Sequence, residues 1–329
     1  MATKTAEASQ IAVAVNQATP EERVAAGKAA RAAAPLESLA DFTPTKSRNP
    51  IRLLLGQAES RVPELVPIRH GRMLASPFAF YRGAALIMAA DLSTTATSGL
   101  QTQLCGDAHL ANFGAYASPE RRLVFDINDF DETLPGPFEW DVKRLAASMV
   151  VAARENGFSR KQSRKAALAA VESYRTAMQV FASQTILAVW YAHLNIEDAV
   201  ADYKASLSQR KLKQSKSAFK RTEAQLAKAR TRDSLQAIGK LTSMVDGKRR
   251  IRSDPPLIVR VDDMIDLDPE VMRARLGNLL KTYRKTLPSD RQHLLDHFTM
   301  TDMGHKVVGV GSVGTRACSW KLEARRKPC

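Results

Sequence analysis

The 329-residue chain is short of cysteine, aromatics, acidic residues and long apolar runs. Its three cysteines, Cys105, Cys318 and Cys329, form no CxxC pair and are too few for a disulfide scaffold, so free thiols in a reducing, cytoplasmic setting are expected. Aromatics make up 6%, which argues against an all-β sandwich and toward helices. The longest apolar stretches, around Ala84–Ala90 and Leu145–Ala153, fall far short of the roughly 20 residues that span a bilayer. Met1–Gln10 has no apolar core of a secretory signal. A membrane partner is therefore not expected.

Acids number 34 against 49 Lys and Arg, a formal charge of +15. The excess is local. Residues 204–252 hold 15 Lys or Arg and 3 acids, a net +12, with Leu207, Leu212, Phe219, Leu226, Leu235, Ile238 and Leu241 recurring at helical spacing between the charges. This segment reads as a basic helical insertion that could contact a polyanion such as nucleic acid. Around it, residues 1–48 read as a flexible Ala-rich arm with a helix at Glu21–Ala34. Residues 49–300 read as a helical catalytic domain, and 301–329 as a partial hairpin with an aberrant tail. Within the domain, helices are expected at Ile51–Arg61, Tyr81–Leu92, Trp140–Asn156, Arg160–His193, Asp268–Thr286 and Ser289–Phe298. A turn is expected at Pro63–Pro77, and an extended piece at Pro256–Val261. The class is α+β, predominantly helical.

Between Gln103 and Arg144 the composition changes. Two short apolar runs, Thr102–Cys105 and Leu123–Ile127, read as strands, each followed by a polar loop. The first loop carries Asp107, His109 and Asn112; the second carries Asp129 and Asp131. If the strands are neighbours, carboxylates and one amide oxygen meet, a hard-donor set suited to Mg²⁺ and phosphate oxygens. One acid can stay off the metal and accept a hydroxyl proton.

The pattern D-x-H-x-x-N, followed by a strand ending in D-F-D, resembles the aminoglycoside-phosphotransferase branch of the protein-kinase-like superfamily. Trp140-Asp141-Val142-Lys143-Arg144 extends the resemblance. It implies a kinase-like lobe with Asp107 as catalytic base and His109 lining the loop. Asn112 and Asp129 would be metal ligands, with Asp131 beside them, and Asp141 and Arg144 would pair as supports. The residue two before Asp107, usually His in those enzymes, is Cys105, so the loop must be braced differently. At closer range the chain resembles a bacterial family catalogued as domain of unknown function 2252. The likeness is carried by Val66–Arg69, Ser76–Gly83, Gly106–His109, Asn128–Thr133, Lys228–Asp233 and Asp254–Pro256, and runs from about Val62 to Arg316.

A second motif, Gly309-Val310-Gly311-Ser312-Val313-Gly314, is a G-x-G-x-x-G that could cradle phosphates. Only 15 residues follow Gly314, which excludes a Rossmann unit. A kinase-type phosphate loop would need Lys306–Val310 as its first strand and a lysine on a later one. Ala317–Cys329 reads as polar and basic without strand alternation, and Lys321 is a poor candidate for that lysine. Truncation or a frame shift after about Arg316, with an incomplete nucleotide lobe, is expected. The leading functional expectation is Mg²⁺- and ATP-dependent phosphoryl transfer to a small-molecule or protein hydroxyl. The alternatives are a catalytically silent nucleotide-binding relative and a nucleic-acid module on 204–252.

Overall fold

The computed structural model describes residues 18–118, 120, 122–210, 234–264 and 268–324. Helix α1 (Pro20–Ala33) starts in a capping box. The Thr19 hydroxyl accepts from the Glu22 amide, the Glu22 carboxylate accepts from the Thr19 amide, and Pro20 presets the first turn. No residue of α1 is buried. This N-terminal stretch is fastened by Arg48, whose guanidinium donates twice to Asp91, at 2.7 and 2.8 Å.

Four short helices follow: α2 (Pro50–Ala58), α3 (Val66–Leu74), α4 (Pro77–Gly83) and α5 (Ala85–Leu92). They bury Leu54, Met73, Ala84 and Ile87 in one apolar cluster. Two expectations are corrected here. The Pro63–Pro77 turn contains α3, because Pro67 falls in the first turn, where a missing N–H costs nothing. The expected Tyr81–Leu92 helix breaks at Ala84, where α4 ends and α5 begins.

The strands form small antiparallel sheets. β1 (Gln101–Leu104) pairs with β4 (Leu134–Pro137), while β2 (Phe113–Ala117) and β3 (Leu123–Ile127) form a hairpin extended by β5 (Leu194–Asn195). Behind them lie α6 (Phe138–Glu155) and α7 (Arg160–Ala182), the latter with a second capping box at Ser159 and Gln162. The expected Arg160–His193 helix stops at Ser183, and Thr185 caps a new one, α8 (Ile186–Trp190).

In the basic segment, residues 211–233 lie outside the described residues. On either side are α9 (Ile196–Arg210) and α10 (Ser234–Leu241). The next part is not helical: β6 (Thr242–Val245) and β7 (Lys248–Ile251) form a hairpin. Asp246 and Gly247 both take positive φ, which Asp-Gly tolerates and a hairpin turn of this length requires. Arg250 there stands 3.7 Å from Asp262 and 3.8 Å from Asp302.

The last unit combines β8 (Ile258–Arg260), α11 (Pro269–Thr286), α12 (Ser289–Asp296), β9 (Phe298–Lys306) and β10 (Cys318–Ala324). β9 lies between β8 and β10. Val261, Leu276 and Met303 form its core, with Trp320 packed against them. β10 corrects the reading of the tail. It pairs along its full length with β9, with Lys321 donating to Thr301 and Glu323 and Trp320 turned toward the core. The glycine-rich segment is the loop between these strands, and its first strand ends at Lys306 rather than Val310.

That loop returns to the N-terminal helices. Val310 packs on the apolar cluster of α2–α5, and Val313 is fully buried. The same cluster thus supports both the N-terminal helices and a loop over 200 residues away. Met73, 2% exposed, sits at its centre. Met73→Ala is expected to cost about 2–5 kcal/mol in urea unfolding, and to raise hydrogen exchange in 309–314 together with α3.

Candidate functional site

The loop after β1 is held by one face of α6. Asp141, Arg144 and Ser148 stand three and then four residues apart, so they share a helix face about 10 Å long. The Asp141 carboxylate accepts from the amides of Cys105 (2.7 Å) and Gly106 (3.1 Å). Arg144 donates to Asp107 from Nε at 2.6 Å and again from Nη2. The Ser148 hydroxyl accepts from the Leu110 amide at 3.0 Å. Asp141 and Arg144 were expected to pair with each other; instead each reaches the loop separately. The bracing that a histidine two before Asp107 would supply comes from Asp141, which needs only the backbone at Cys105. Burial pushes the Cys105 thiol up to about 11, and its Sγ donates to the Asp129 carbonyl.

Gly106 makes the turn possible. Its φ is +81°, and a Cβ there would lie 2.0 Å from the Glu132 carbonyl oxygen. The two polar loops therefore touch through backbone at a point where any side chain would collide.

Arg144 is 2% exposed. Besides Asp107 it donates to the Tyr81 carbonyl at 3.0 Å, and its guanidinium lies 4.6 Å from the Tyr81 ring centroid. The Tyr81 hydroxyl in turn donates to the Arg144 carbonyl at 2.7 Å, and burial pushes that phenol up to about 12. Burial raises the Asp107 pKa, with the Arg144 charge opposing. Asp107 Oδ1 is thus committed to Arg144, while Oδ2 faces His109 Nε2 at 3.5 Å.

His109 is almost fully buried, edge-on to Phe78 at 6.1 Å between ring centroids. Its Nδ1 accepts from the Ala111 amide, so in the neutral ring the proton sits on Nε2, toward Asp107. Burial first, then the Arg144 and Arg82 charges, lower its pKa to about 4. The neutral, enclosed imidazole borders Asp107 Oδ2 on one side at 3.5 Å.

Asn112 is also buried. Its side-chain nitrogen donates to the Asp107 carbonyl at 2.8 Å, and its carbonyl accepts from the Asn128 amide at 2.8 Å, which joins the two loops. Asp129 Oδ1 accepts from the Asp131 amide at 3.2 Å, a local turn that sets the D-F-D loop. Among the described residues no group of three or more His, Cys, Asp or Glu side chains is gathered to hold a metal ion. The expected set of Asn112, Asp129 and Asp131 has two carboxylates and one amide oxygen, hard donors of the kind Mg²⁺ takes with water and phosphate.

Gly309, Gly311 and Gly314 lie against the N-terminal helical region, and Ser312 between them meets the D-F-D loop. The Gly314 carbonyl accepts from the Val62 amide at 2.9 Å, the Val313 carbonyl from Arg61 at 2.5 Å, and the Gly309 carbonyl from Arg72 at 2.7 Å. Ser312 Oγ donates to Asp131 Oδ2 across 3.4 Å. The structure therefore brings the Asp107 loop against the D-F-D loop, and the D-F-D loop against Ser312 of the glycine-rich loop. Sequence reading missed Ser312, Ser148 and Arg61. Ser312 was visible only as a position inside the glycine motif, and nothing in the sequence marked the other two.

Because His109 stays neutral when folded and takes a proton near pH 6.5 when unfolded, the unfolded state binds more protons between these values. The stability linked to His109 is whole above about pH 6.5 and falls as pH drops toward 4, by up to about 3 kcal/mol. In urea titrations from pH 4.5 to 7.5, His109→Gln is expected to flatten that acid limb.

A search of curated proteins returns no match, and a search of solved structures returns none. The model of one family, described as "Uncharacterized protein conserved in bacteria (DUF2252)", matches residues 61–328. That match takes in the α3–α4 helices, both polar loops, the glycine-rich loop and β10, so the tail expected to be aberrant falls inside it. By this match over most of its length, the chain belongs to the DUF2252 family.

Proposed function

We propose that this chain is a kinase-like phosphotransferase that moves the terminal phosphoryl group of Mg²⁺–ATP to a hydroxyl. The observation that carries the reading is the meeting of Ser312 with Asp131: a glycine-rich hairpin loop lies over a carboxylate loop 181 residues away in sequence. Backbone amides of such a loop suit phosphate oxygens, and the acids below suit the cation that accompanies them. In this reading Asn112, Asp129 and Asp131 would hold Mg²⁺, which when bound offsets phosphate charge.

Asp107 is the base. With Oδ1 held by Arg144, Oδ2 is the oxygen left to receive the proton of the acceptor hydroxyl while that oxygen bonds to phosphorus and ADP leaves. Burial holds the Asp107 pKa above the usual carboxylate range and so makes it a better proton acceptor once ionised. Arg144 fixes the carboxylate's direction, and Asp141 fixes the backbone beneath it.

Mg²⁺–ATP is expected to raise the melting temperature of the full chain by several degrees, and Asp129→Asn to remove that shift. Asp107→Asn, which can still accept from Arg144, is expected to keep the shift while ADP formation falls about 10²- to 10⁴-fold. Absence of any Mg²⁺–ATP shift in the wild type refutes the reading. A shift without ADP formation favours the catalytically silent alternative.

A further inference from the structure

Beneath the glycine-rich loop, α3, α4 and the turn after α2 present arginines that no acid among the described residues pairs with. Arg69 is 1% exposed and Arg61 8% exposed. Arg69 Nη2 is used, donating to Gln57 and to the Gly83 carbonyl, both at 2.8 Å, and Arg61 Nη1 donates to Val313. Their other donors are idle. Arg61 Nε, Arg69 Nε and Nη1, and Nε of the half-buried Arg82 are buried without a hydrogen-bond partner among the described residues. None of the three arginines forms an ion pair among the described residues; Glu132 is the acid whose charge Arg61 and Arg69 feel, and it is too far to bond either.

Two buried guanidiniums with idle donors that repel one another are costly, and removing that cost calls for an anion. The number of idle donors narrows the anion. Several N–H groups on forked side chains call for several acceptor oxygens, which a tetrahedral oxyanion supplies and a halide does not. The surroundings agree. A Cβ on Gly311 would come within 3.2 Å of the Arg82 carbonyl, and one on Gly314 within 3.1 Å of the Arg61 side chain, so the loop backbone packs on the Arg82 backbone and the Arg61 stem. The Arg82 charge is also felt at Asp107 and His109.

We infer that Arg61, Arg69 and Arg82 form a binding site for a phosphate group under the glycine-rich loop, next to Asp107. The site stands apart from the phosphotransferase reading: it needs neither Mg²⁺ nor Asp129. Its ligand is a phosphate monoester or the phosphate tail of a nucleotide, two sources of one chemistry.

The test uses the full chain without divalent cations, titrated with sodium phosphate and pyrophosphate against sodium chloride at matched ionic strength. Binding is followed by melting temperature and by calorimetry. Near a hundredfold excess over Kd, a rise of about 5 °C beyond the chloride control is expected. Arg69→Met is expected to weaken binding at least tenfold. Should that variant not fold, Arg82→Gln, only half-buried, gives the same comparison. Asp129→Asn is expected to bind phosphate as the wild type does, so loss of the Mg²⁺–ATP response with retained phosphate binding separates the two proposals. Metal-free ATP that competes with phosphate assigns the site to a nucleotide tail; simultaneous binding assigns it to a phosphorylated acceptor. No wild-type response beyond chloride, or an equal response in the arginine variants, overturns the inference.

Discussion

The contact between Arg144 and Asp107 fixes everything at the centre of this molecule. Both groups are largely withdrawn from water, so neither can be left alone: a buried ion pair adds little net stability, but breaking it strands a charge and costs about 3–5 kcal/mol. The pair therefore acts as a register pin. It tells the loop after β1 where to lie on α6, and Asp141 and Ser148 on the same helix face secure the residues on either side. Tyr81 closes the arrangement by accepting from the guanidinium and donating back to the helix carbonyl. Three segments distant in sequence are locked to one helical ruler.

Much of this was legible in the residues. Leu123–Ile127 came out at its sequence-derived bounds because an apolar run between turn residues has few other options. Helices α1, α6 and α11 were marked by caps, prolines and periodicity. The spacing of Asp107, Asn112, Asp129 and Asp131 pointed to two adjoining loops, and the Asn128 amide on the Asn112 carbonyl is that adjacency.

What stayed hidden has physical reasons. α3 was masked by a proline that is harmless only in a first turn. β10 was masked by its composition: Trp320 and Lys321 serve opposite faces of an edge strand, where polar residues are normal. The 242–251 hairpin looked helical from the leucine spacing before it, which a single Asp-Gly turn outweighed. The roles of Asp141 and Arg144 could not be separated because a four-residue spacing allows them either to pair or to reach outward. Only the presence of two amides and a carboxylate opposite them decides which. That Arg61, Arg69 and Arg82 are buried with idle donors is a property of packing, which the order of residues does not carry.

The seating of the glycine-rich loop has a consequence for how the chain is made. The apolar cluster of α2–α5 is finished by Val310, and Arg61 meets its acceptor 252 residues later. On a ribosome adding about 5–20 residues per second, the opening helices emerge some 10–50 s before the segment that caps them. During that interval Leu53, Met73 and Ile87 lack the Val310 contact that covers them in the finished fold. A segment made more than 200 residues later thus seals the α2–α5 cluster.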